Sequence, residues 1–133
     1  MKLTHASGYA LAALAHMAAQ APGQPLSSHH IAEARGIPER FLLKVLKPLV
    51  SAQILHSIKG PNGGYRLAKP ASEITMLDVV EAVDGPIRGA APVNSDNPDS
   101  LLNRKLDKVC GDIADILRKQ LGKVRMSELG TKD

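Results

Sequence analysis

Residues 59–66 read Lys-Gly-Pro-Asn-Gly-Gly-Tyr-Arg, and this stretch decides how the rest of the chain is interpreted. Short extended runs flank it at 54–58 and 65–67. Because glycine, proline and asparagine suit the backbone angles of tight turns, we predict a β-hairpin, with Gly63 at a positive φ. The alternative is a phosphate-binding loop, but a Walker loop ends in Gly-Lys-Ser or Gly-Lys-Thr and opens a helix, whereas this loop opens a strand.

Helices must support this hairpin, because two strands alone are barely stable in water. The sequence predicts an Ala-rich helix at 6–20, a short helix at 27–35 and a basic amphipathic helix at 38–51. Ser27 suits the N-cap of the second helix, and Gly36 suits its C-terminal end. Two helices followed by a basic hairpin is the order of a winged helix-turn-helix, in which one helix enters the major groove of DNA.

The helix at 38–51 is predicted to have two different faces. Its buried stripe comprises Leu42, Val45, Leu46 and Leu49. The opposite face carries Arg40, Leu43, Lys44 and Lys47. Pro38 suits the first turn, and Pro48 should loosen the last turn because it has no N–H to donate to the carbonyl of Lys44.

Charge is concentrated in the same part of the chain, although the net charge is only +4. Residues 35–69 contain a single acid, Glu39, beside the cations Arg35, Arg40, Lys44, Lys47, Lys59, Arg66 and Lys69. Residues 70–99 are acidic, with Arg88 as their only cation. A solvated face would explain the basic block, but its coincidence with the helix and hairpin favours contact with phosphates.

The region after the hairpin is predicted to be helical. Thr75 and Asp78 resemble a capping box, and Gly85-Pro86 ends the helix that they open. A loop follows at 86–100, and then a long helix at 101–121. Apolar positions in this helix have coiled-coil spacing, at Leu102, Leu106, Val109, Ile113 and Ile116, and Cys110, Leu117 and Leu121 widen the stripe. We expect one part of the stripe to face its own domain and the other a second subunit; the alternative is a terminal helix packed only on its own core.

Composition limits the remaining possibilities. A chain of 133 residues fits one domain, and no run approaches the ~20 apolar residues of a membrane span. The start lacks a signal-peptide pattern and the single cysteine, Cys110, excludes an intrachain disulfide, so we expect a cytoplasmic protein without membrane contact. Only Tyr9, Phe41 and Tyr65 are aromatic, which favours duplex DNA over single strands.

Several stretches together resemble the Rrf2 family of bacterial winged-helix transcriptional regulators. They are Met1-Lys2-Leu3-Thr4 with Tyr9-Ala10-Leu11, Ile31-Ala32-Glu33 with Gly36-Ile37, Leu46-Lys47-Pro48-Leu49-Val50, Lys59 to Leu67, and Glu73-Ile74-Thr75 through Asp78-Val79-Val80 to Ile87. These stretches span residues 1–88 almost without a gap, and the long helix ending in Met126-Ser127-Glu128-Leu129 resembles the family's dimerisation helix.

The resemblance implies a homodimer that binds a near-palindromic double-stranded operator and represses transcription. It places Arg40, Leu43 and Lys44 at base-facing sites, and Lys59 where the family commonly has a minor-groove arginine, a site that lysine fits less well. The full set of candidate DNA contacts is Lys2, Thr4, Ser28, Arg40, Leu43, Lys44, Lys47, Lys59, Asn62, Tyr65 and Arg66. The candidate dimerisation residues are Leu102, Leu106, Val109, Ile113, Ile116 and Leu117.

One departure from the family concerns its iron–sulfur cluster. Members that sense iron, nitric oxide or redox state hold the cluster with three cysteines in the loop before the dimerisation helix. The corresponding loop here, 87–103, contains none, and its Asp96 and Asp99 are hard oxygen donors. We therefore expect no cofactor and no metal site. Cys110 is assigned first as a packed small side chain and second as a candidate redox thiol.

The sequence thus predicts a mainly α fold with a small β-hairpin. Residues 1–85 would form a winged helix-turn-helix domain, 86–100 a loop, and 101–133 a dimerisation helix and tail. A DNA-binding repressor is the leading hypothesis, and a winged-helix module for protein interaction is the alternative. An enzyme is not expected, because no catalytic constellation or cofactor fingerprint is present. An effector would be a partner protein or a small ligand held between the dimerisation helix and the winged domain.

Overall fold

The computed structural model describes residues 1–89 and 99–130, so that 90–98, within the predicted loop, and 131–133 lie outside the described part. The described chain forms helices α1 (His5–Ala18), α2 (Ser28–Arg35), α3 (Glu39–Ser51), α4 (Met76–Asp84), α5 (Leu101–Gly122) and α6 (Met126–Leu129), and strands β1 (Leu55–Ile58) and β2 (Gly64–Leu67). A 3₁₀ turn, Ala71–Glu73, precedes α4. The prediction of a mainly helical fold with one hairpin and a long C-terminal helix is confirmed.

Short polar side chains begin the helices where the sequence predicts them. The Ser27 hydroxyl accepts the backbone N–H of His30 at 3.1 Å at the start of α2. Gly36 ends that helix in the left-handed region, with φ of 64°. Thr75 and Asp78 form the predicted capping box of α4, each side chain accepting the other's backbone N–H at 3.0 Å. Such caps satisfy N–H groups that have no partner within the helix.

The core forms where α1 crosses α3. The predicted stripe of α3 is buried, none of its residues being more than 4% exposed: Leu42, Val45, Leu46 and Leu49. Ala10 and Ala13 of α1 are fully buried as well, and such short side chains allow neighbouring helices to pack closely. Burying each leucine contributes about 1.5–3 kcal/mol. Helix α3 begins one residue later than predicted, with Pro38 at the N-cap, and continues past Pro48 to Ser51.

The hairpin pairs β1 with β2 in antiparallel register, from Leu55 opposite Leu67 to Ile58 opposite Gly64. An isolated bridge extends it, because Leu26 donates to the Tyr65 carbonyl at 2.9 Å and Tyr65 donates to the Leu26 carbonyl at 2.8 Å. The sequence did not predict this third element. It anchors the hairpin to the segment just before α2.

The prediction of a positive φ at Gly63 is wrong. The positive values in this turn belong to Gly60, at 107°, and Gly64, at 145°. Gly63 is required for a different reason, since a Cβ there would lie 2.1 Å from the carbonyl oxygen of Ile58. The turn is tight because the backbone folds onto itself at this position, where no side chain fits.

The long helix α5 packs against α4. Arg118 of α5 forms an ion pair with Glu81 of α4, and the same carboxylate accepts the backbone N–H of Ile87 at 2.8 Å. The segment after α4 then lies directly on α5, because a Cβ at Gly89 would be 2.1 Å from the carbonyl oxygen of Cys110. These contacts hold α5 against the rest of the domain.

The residues after α5 return to the core. Met126 is fully buried, and its N–H donates to the carbonyl of Ile74 at 2.8 Å. In the other direction Met76 donates to the carbonyl of Val124 at 2.8 Å. Helix α6 therefore packs with α1 and the 3₁₀ turn, so the C-terminal end of the described chain shares the core of the winged domain.

Candidate nucleic-acid interface

The exposed side of α3 carries three cations and one apolar residue. Arg40, Lys44 and Lys47 are exposed, and Leu43 between them is 44% exposed. Their spacing of three and four residues places them on one side of the helix, opposite the buried stripe. The exposure predicted for all four residues is confirmed. A helix with this face presents point charges and hydrogen-bond donors around an apolar centre, the chemistry needed to contact phosphates and base edges.

Two of these cations rest on an aromatic side chain that the sequence analysis did not assign to the site. The guanidinium of Arg40 lies 4.8 Å from the ring centre of Phe41, and the ammonium of Lys44 lies 5.8 Å from it. Phe41 in turn stacks on Tyr9 of α1, with the rings inclined by 8° and 6.3 Å apart. Cation–π contacts of about 0.5–1 kcal/mol restrict where the two charges point. The signal in the sequence was an aromatic residue one position after a cation and three before another.

The hairpin supplies a second group of candidates. Lys59, Asn62 and Arg66 are exposed, as expected for residues that contact DNA. Tyr65 is different, because its ring is half-buried and packs against the core, and its backbone pairs with Leu26. Tyr65 therefore fixes the hairpin in place. Helix α3 packs on β1, which brings the basic helix and the hairpin to adjacent parts of the structure.

The two predicted contacts near the chain start differ in their surroundings. Lys2 is exposed. Thr4 is the N-cap of α1, where its hydroxyl oxygen accepts the N–H of Ser7 at 3.0 Å and its proton is directed to the carboxylate of Asp84 at 2.8 Å. The single hydroxyl proton of Thr4 is thus already donated within the fold. Ser28, the first residue of α2, is half-buried.

The adjacent histidines of α2 have different neighbours. His29 is exposed and lies 3.5 Å from the carboxylate of Glu33 and 3.8 Å from that of Glu39. His30 faces His16 of α1, with 3.5 Å between their Nε2 atoms. Burial lowers the pKa of His16, and the charges of Arg35 and His30 lower it further. His16 is therefore held toward its neutral form where α1 and α2 meet.

Two sides of α5 have different environments. Ala114 and Leu121 are buried, and Cys110 and Leu117 are half-buried, on the side that faces the domain. The coiled-coil positions point away from it and remain 40–63% exposed: Leu102, Leu106, Val109, Ile113 and Ile116. Leu101, at 60%, adjoins them. A row of large apolar side chains along one edge of a helix is a feature of protein interfaces.

Comparison with known proteins supports the winged-helix class that the sequence predicts. A family model described as "Rrf2: Iron-dependent Transcriptional regulator" matches residues 3–132. BadM of Rhodopseudomonas palustris, named as an HTH-type transcriptional regulator, is 32% identical over 129 residues, covering 97% of this chain and 81% of BadM. Protein aau3 of Rhizobium meliloti is 45% identical over 85 residues, 63% of this chain, but that match spans only 54% of aau3.

A solved structure agrees across the whole fold. CymR of B. subtilis, described as the global cysteine regulator, superposes with a TM-score of 0.79 at 25% identity, covering 98% of this chain and 96% of CymR. The fold, the basic helix and the hairpin are those of winged-helix proteins, and BadM and CymR are both described as regulators. The chain belongs to the Rrf2 family.

The family description names iron, and the described residues do not fit an iron site. Within residues 1–89 and 99–130, no three His, Cys, Asp or Glu side chains come together as metal ligands. The sequence has one cysteine, Cys110, which is half-buried on α5. An iron–sulfur cluster is held by several thiolates, which a single chain of this sequence does not supply.

No helix in the described residues is long and apolar enough to span a membrane.

Proposed function

We propose that this chain is a homodimeric repressor that binds a near-palindromic duplex operator and works without an iron–sulfur cluster. The observation that carries the proposal is the exposed side of α3, where Arg40, Leu43 and Lys44 lie together next to the hairpin. A helix placed in the major groove would direct these side chains to base edges. Lys47 and the hairpin cations Lys59 and Arg66 would then neutralise phosphates on either side.

The exposed stripe of α5 supports the dimer. The stripe places five large apolar side chains in one exposed row, as is typical of a protein interface: Leu102, Leu106, Val109, Ile113 and Ile116. A second copy of the same stripe would cover it in a symmetric interface, in which the same patch serves both subunits. Two recognition helices related by such an axis would read half-sites about one DNA turn, ~34 Å, apart. The two-fold symmetry of the proposed dimer is the reason for expecting a near-palindrome.

The absence of a cluster is proposed from the ligand chemistry. Cys110 is the only thiol, and its helix packs against the Gly89 backbone, so a half-buried structural side chain is the simplest role for it. The assignment as a repressor rests on the resemblance to the family. In the simplest mechanism, a dimer that occupies an operator blocks access of the polymerase to the promoter.

Salt-dependent binding to duplex DNA tests the proposal most directly. Affinity for a genomic DNA fragment selected by the purified protein would be measured across salt concentrations, for the wild type and for Arg40→Gln/Lys44→Gln. The matched control is Lys105→Gln/Lys119→Gln, which removes the same charge from exposed positions on α5. We expect a steep salt dependence, with log K falling by about 0.9 per log unit of salt for each neutralised phosphate.

The α3 variant should lose affinity for the selected sequence, whereas the control should match the wild type. If the protein bound no DNA at any salt concentration, the alternative of a winged-helix module for protein contacts would replace the proposal. If both double variants lost affinity equally, total charge and not the α3 face would explain the binding.

A further inference from the structure

A cavity lies at the end of the hairpin that is opposite its turn. It opens between the end of α1, the segment 20–26, the end of β2 and the start of the 3₁₀ turn, and its volume is about 540 Å³. This volume falls within the range of about 300–1,000 Å³ typical of small-molecule sites. No residue of α5 is among the described residues that line it, so this is a different place from the cleft expected beside the dimerisation helix.

The wall of the cavity is mostly apolar. Met17, Leu26 and Leu67 line it together with the small side chains of Ala18 and Ala71. Met17 is 6% exposed and belongs to the core, and Leu26 and Leu67 pack against that core. A surface of this kind favours an apolar body of a few carbon atoms and excludes a strongly hydrated one.

Charge at the rim has a single sign. Arg66 and Lys69 line the cavity, and Gln20 and Gln24 add amide groups that can donate hydrogen bonds. Among the described residues that line it, none is acidic. Neither Arg66 nor Lys69 forms an ion pair with any carboxylate in residues 1–89 and 99–130. Two cations that have no acidic partner in the described part of the chain, placed beside an apolar wall, match a ligand with a negative head and an apolar tail.

The cavity is joined to the hairpin by backbone hydrogen bonds. Leu26, in its wall, exchanges two backbone hydrogen bonds with Tyr65, and Arg66 is the next residue along β2. Arg66 is also one of the candidate phosphate contacts. An anion that held the Arg66 side chain in the cavity would withdraw that charge from DNA.

We propose that this cavity is an effector site for an amphipathic monoanion, a compound with one carboxylate on an aliphatic body, and that its occupation lowers affinity for DNA. The carboxylate binds Lys69 and Arg66, and the aliphatic body lies against Met17, Leu26 and Leu67. The binding itself is independent of DNA, whereas the regulatory effect rests on the proposed function.

Calorimetry with two simple probes tests the binding. Sodium octanoate and octylammonium chloride carry the same aliphatic chain with opposite charge, and each would be titrated into the full chain in the absence of DNA. Octanoate should bind once per chain, and octylammonium at least about tenfold more weakly, because the cations at the rim repel it. Failure of octanoate to bind, or equal binding of both probes, would overturn the proposal.

Three variants locate the site. Lys69→Gln should weaken octanoate binding about tenfold, the effect of losing one charge-assisted hydrogen bond. Ala21→Phe, at an exposed position of the lining, should weaken it by filling the mouth of the cavity. Lys105→Gln, which removes an exposed cation of α5, is the control and should bind like the wild type. Circular dichroism would verify that each variant is folded. If Lys69→Gln and Ala21→Phe both bound octanoate like the wild type, the site would lie elsewhere.

The DNA measurement separates this proposal from the proposed function. Octanoate should lower the DNA affinity of the wild type and should have less effect on Lys69→Gln. DNA binding that octanoate leaves unchanged in the wild type would overturn the effector role while the proposed function stands. Octanoate binding to a chain that binds no DNA would establish the ligand site and refute the proposed function.

Discussion

The hydroxyl of Thr4 donates to the carboxylate of Asp84 at 2.8 Å, joining the first turn of α1 to the last turn of α4 across 80 residues of sequence. The Ser7 hydroxyl donates to the same carboxylate at 2.6 Å. A negative charge at the N-terminal end of α1 also meets the positive end of the helix dipole. Asp84 therefore stabilises the start of a helix to which it does not belong.

The first prediction concerns this contact. Asp84→Ala should lower the free energy of unfolding by about 1–3 kcal/mol, because it removes hydrogen bonds to a charged acceptor. Denaturation in urea would measure the change. Asp112→Ala is the control, since it removes only the exposed pair with Lys108 on α5, at 3.0 Å, and should cost less than about 0.5 kcal/mol. Equal costs for the two variants would contradict the structural role of Asp84.

The second prediction separates base contacts from phosphate contacts on α3. Arg40→Ala or Lys44→Ala should cost about 1–3 kcal/mol of specific binding if the side chain contacts a base, and specificity should relax at one position. Lys47→Ala should weaken binding to all sequences equally and reduce the salt slope by about one. Binding assays on a panel of single-base operator variants would show the difference. Identical affinities of all three variants and the wild type for every sequence would remove α3 from the interface.

The third prediction concerns the turn of the hairpin. Gly63→Ala should destabilise the protein, because the added Cβ would lie 2.1 Å from the carbonyl oxygen of Ile58. Gly8→Ala is the matched control: nothing lies within 4 Å of its Cβ position, and in a helix the exchange should stabilise by about 0.5–1 kcal/mol. Thermal unfolding of the two variants should therefore shift in opposite directions. A Gly63→Ala protein as stable as the wild type would show that the turn can open.

The fourth prediction tests the wing cation. Lys59→Ala should leave the fold intact, because the side chain is exposed. It should lower the slope of log K against log salt by the contribution of one phosphate contact, about 0.9. Lys59→Arg should bind at least as tightly as the wild type, since a guanidinium is less strongly hydrated and suits a narrow minor groove. If Lys59→Ala had the salt slope of the wild type, the hairpin tip would not contact the backbone.

The fifth prediction concerns the dimer. Ile113→Asp or Ile116→Asp should yield a folded monomer with weak operator binding, because both side chains are more than half exposed in the single chain, at 52% and 60%. Light scattering would give the mass and circular dichroism the helix content. Arg104→Asp lies off the stripe on the same helix and should remain dimeric. A wild-type chain that was monomeric at micromolar concentration, yet bound a palindrome tightly, would refute the α5 interface.

A pH effect also follows from His16. Its pKa is lowered in the folded state, first by burial, so below its ordinary value of 6.5 the unfolded chain binds more protons than the folded one. Stability from this group is fully present above pH 6.5 and falls as the solution is acidified below it. The loss on acidification should be smaller in His16→Gln than in the wild type, and unchanged in His56→Gln, which alters an exposed side chain of β1. Parallel pH profiles for all three proteins would disprove the effect.

Local patterns were sufficient to predict most of the secondary structure. Ser27 and Gly36 mark the two ends of α2. A cap hydroxyl and a residue that tolerates positive φ allow the unpaired backbone groups at helix ends to be satisfied wherever such residues occur. The spacing of Leu42, Val45, Leu46 and Leu49 identified the buried side of α3, and hence the exposed basic side, since one implies the other on a helix. The family could be recognised for the same reason, because its motifs are local.

Long-range contacts could not be predicted in this way. The bridge between Leu26 and Tyr65 and the bond from Thr4 to Asp84 join residues whose separation in sequence carries no periodic signal. Gly63 shows the limit most clearly. The composition of residues 59–66 predicted a turn, but the close approach to Ile58 that requires a glycine at 63 depends on the path of the folded backbone. The cavity could not be predicted either, because it exists only where α1, the segment before α2 and β2 meet. The outward side of the α5 stripe could be distinguished from the inward side only from the structure, in which α4 covers the inward side. Periodicity specifies which faces of an element are apolar, whereas the packing of the elements selects what each face meets.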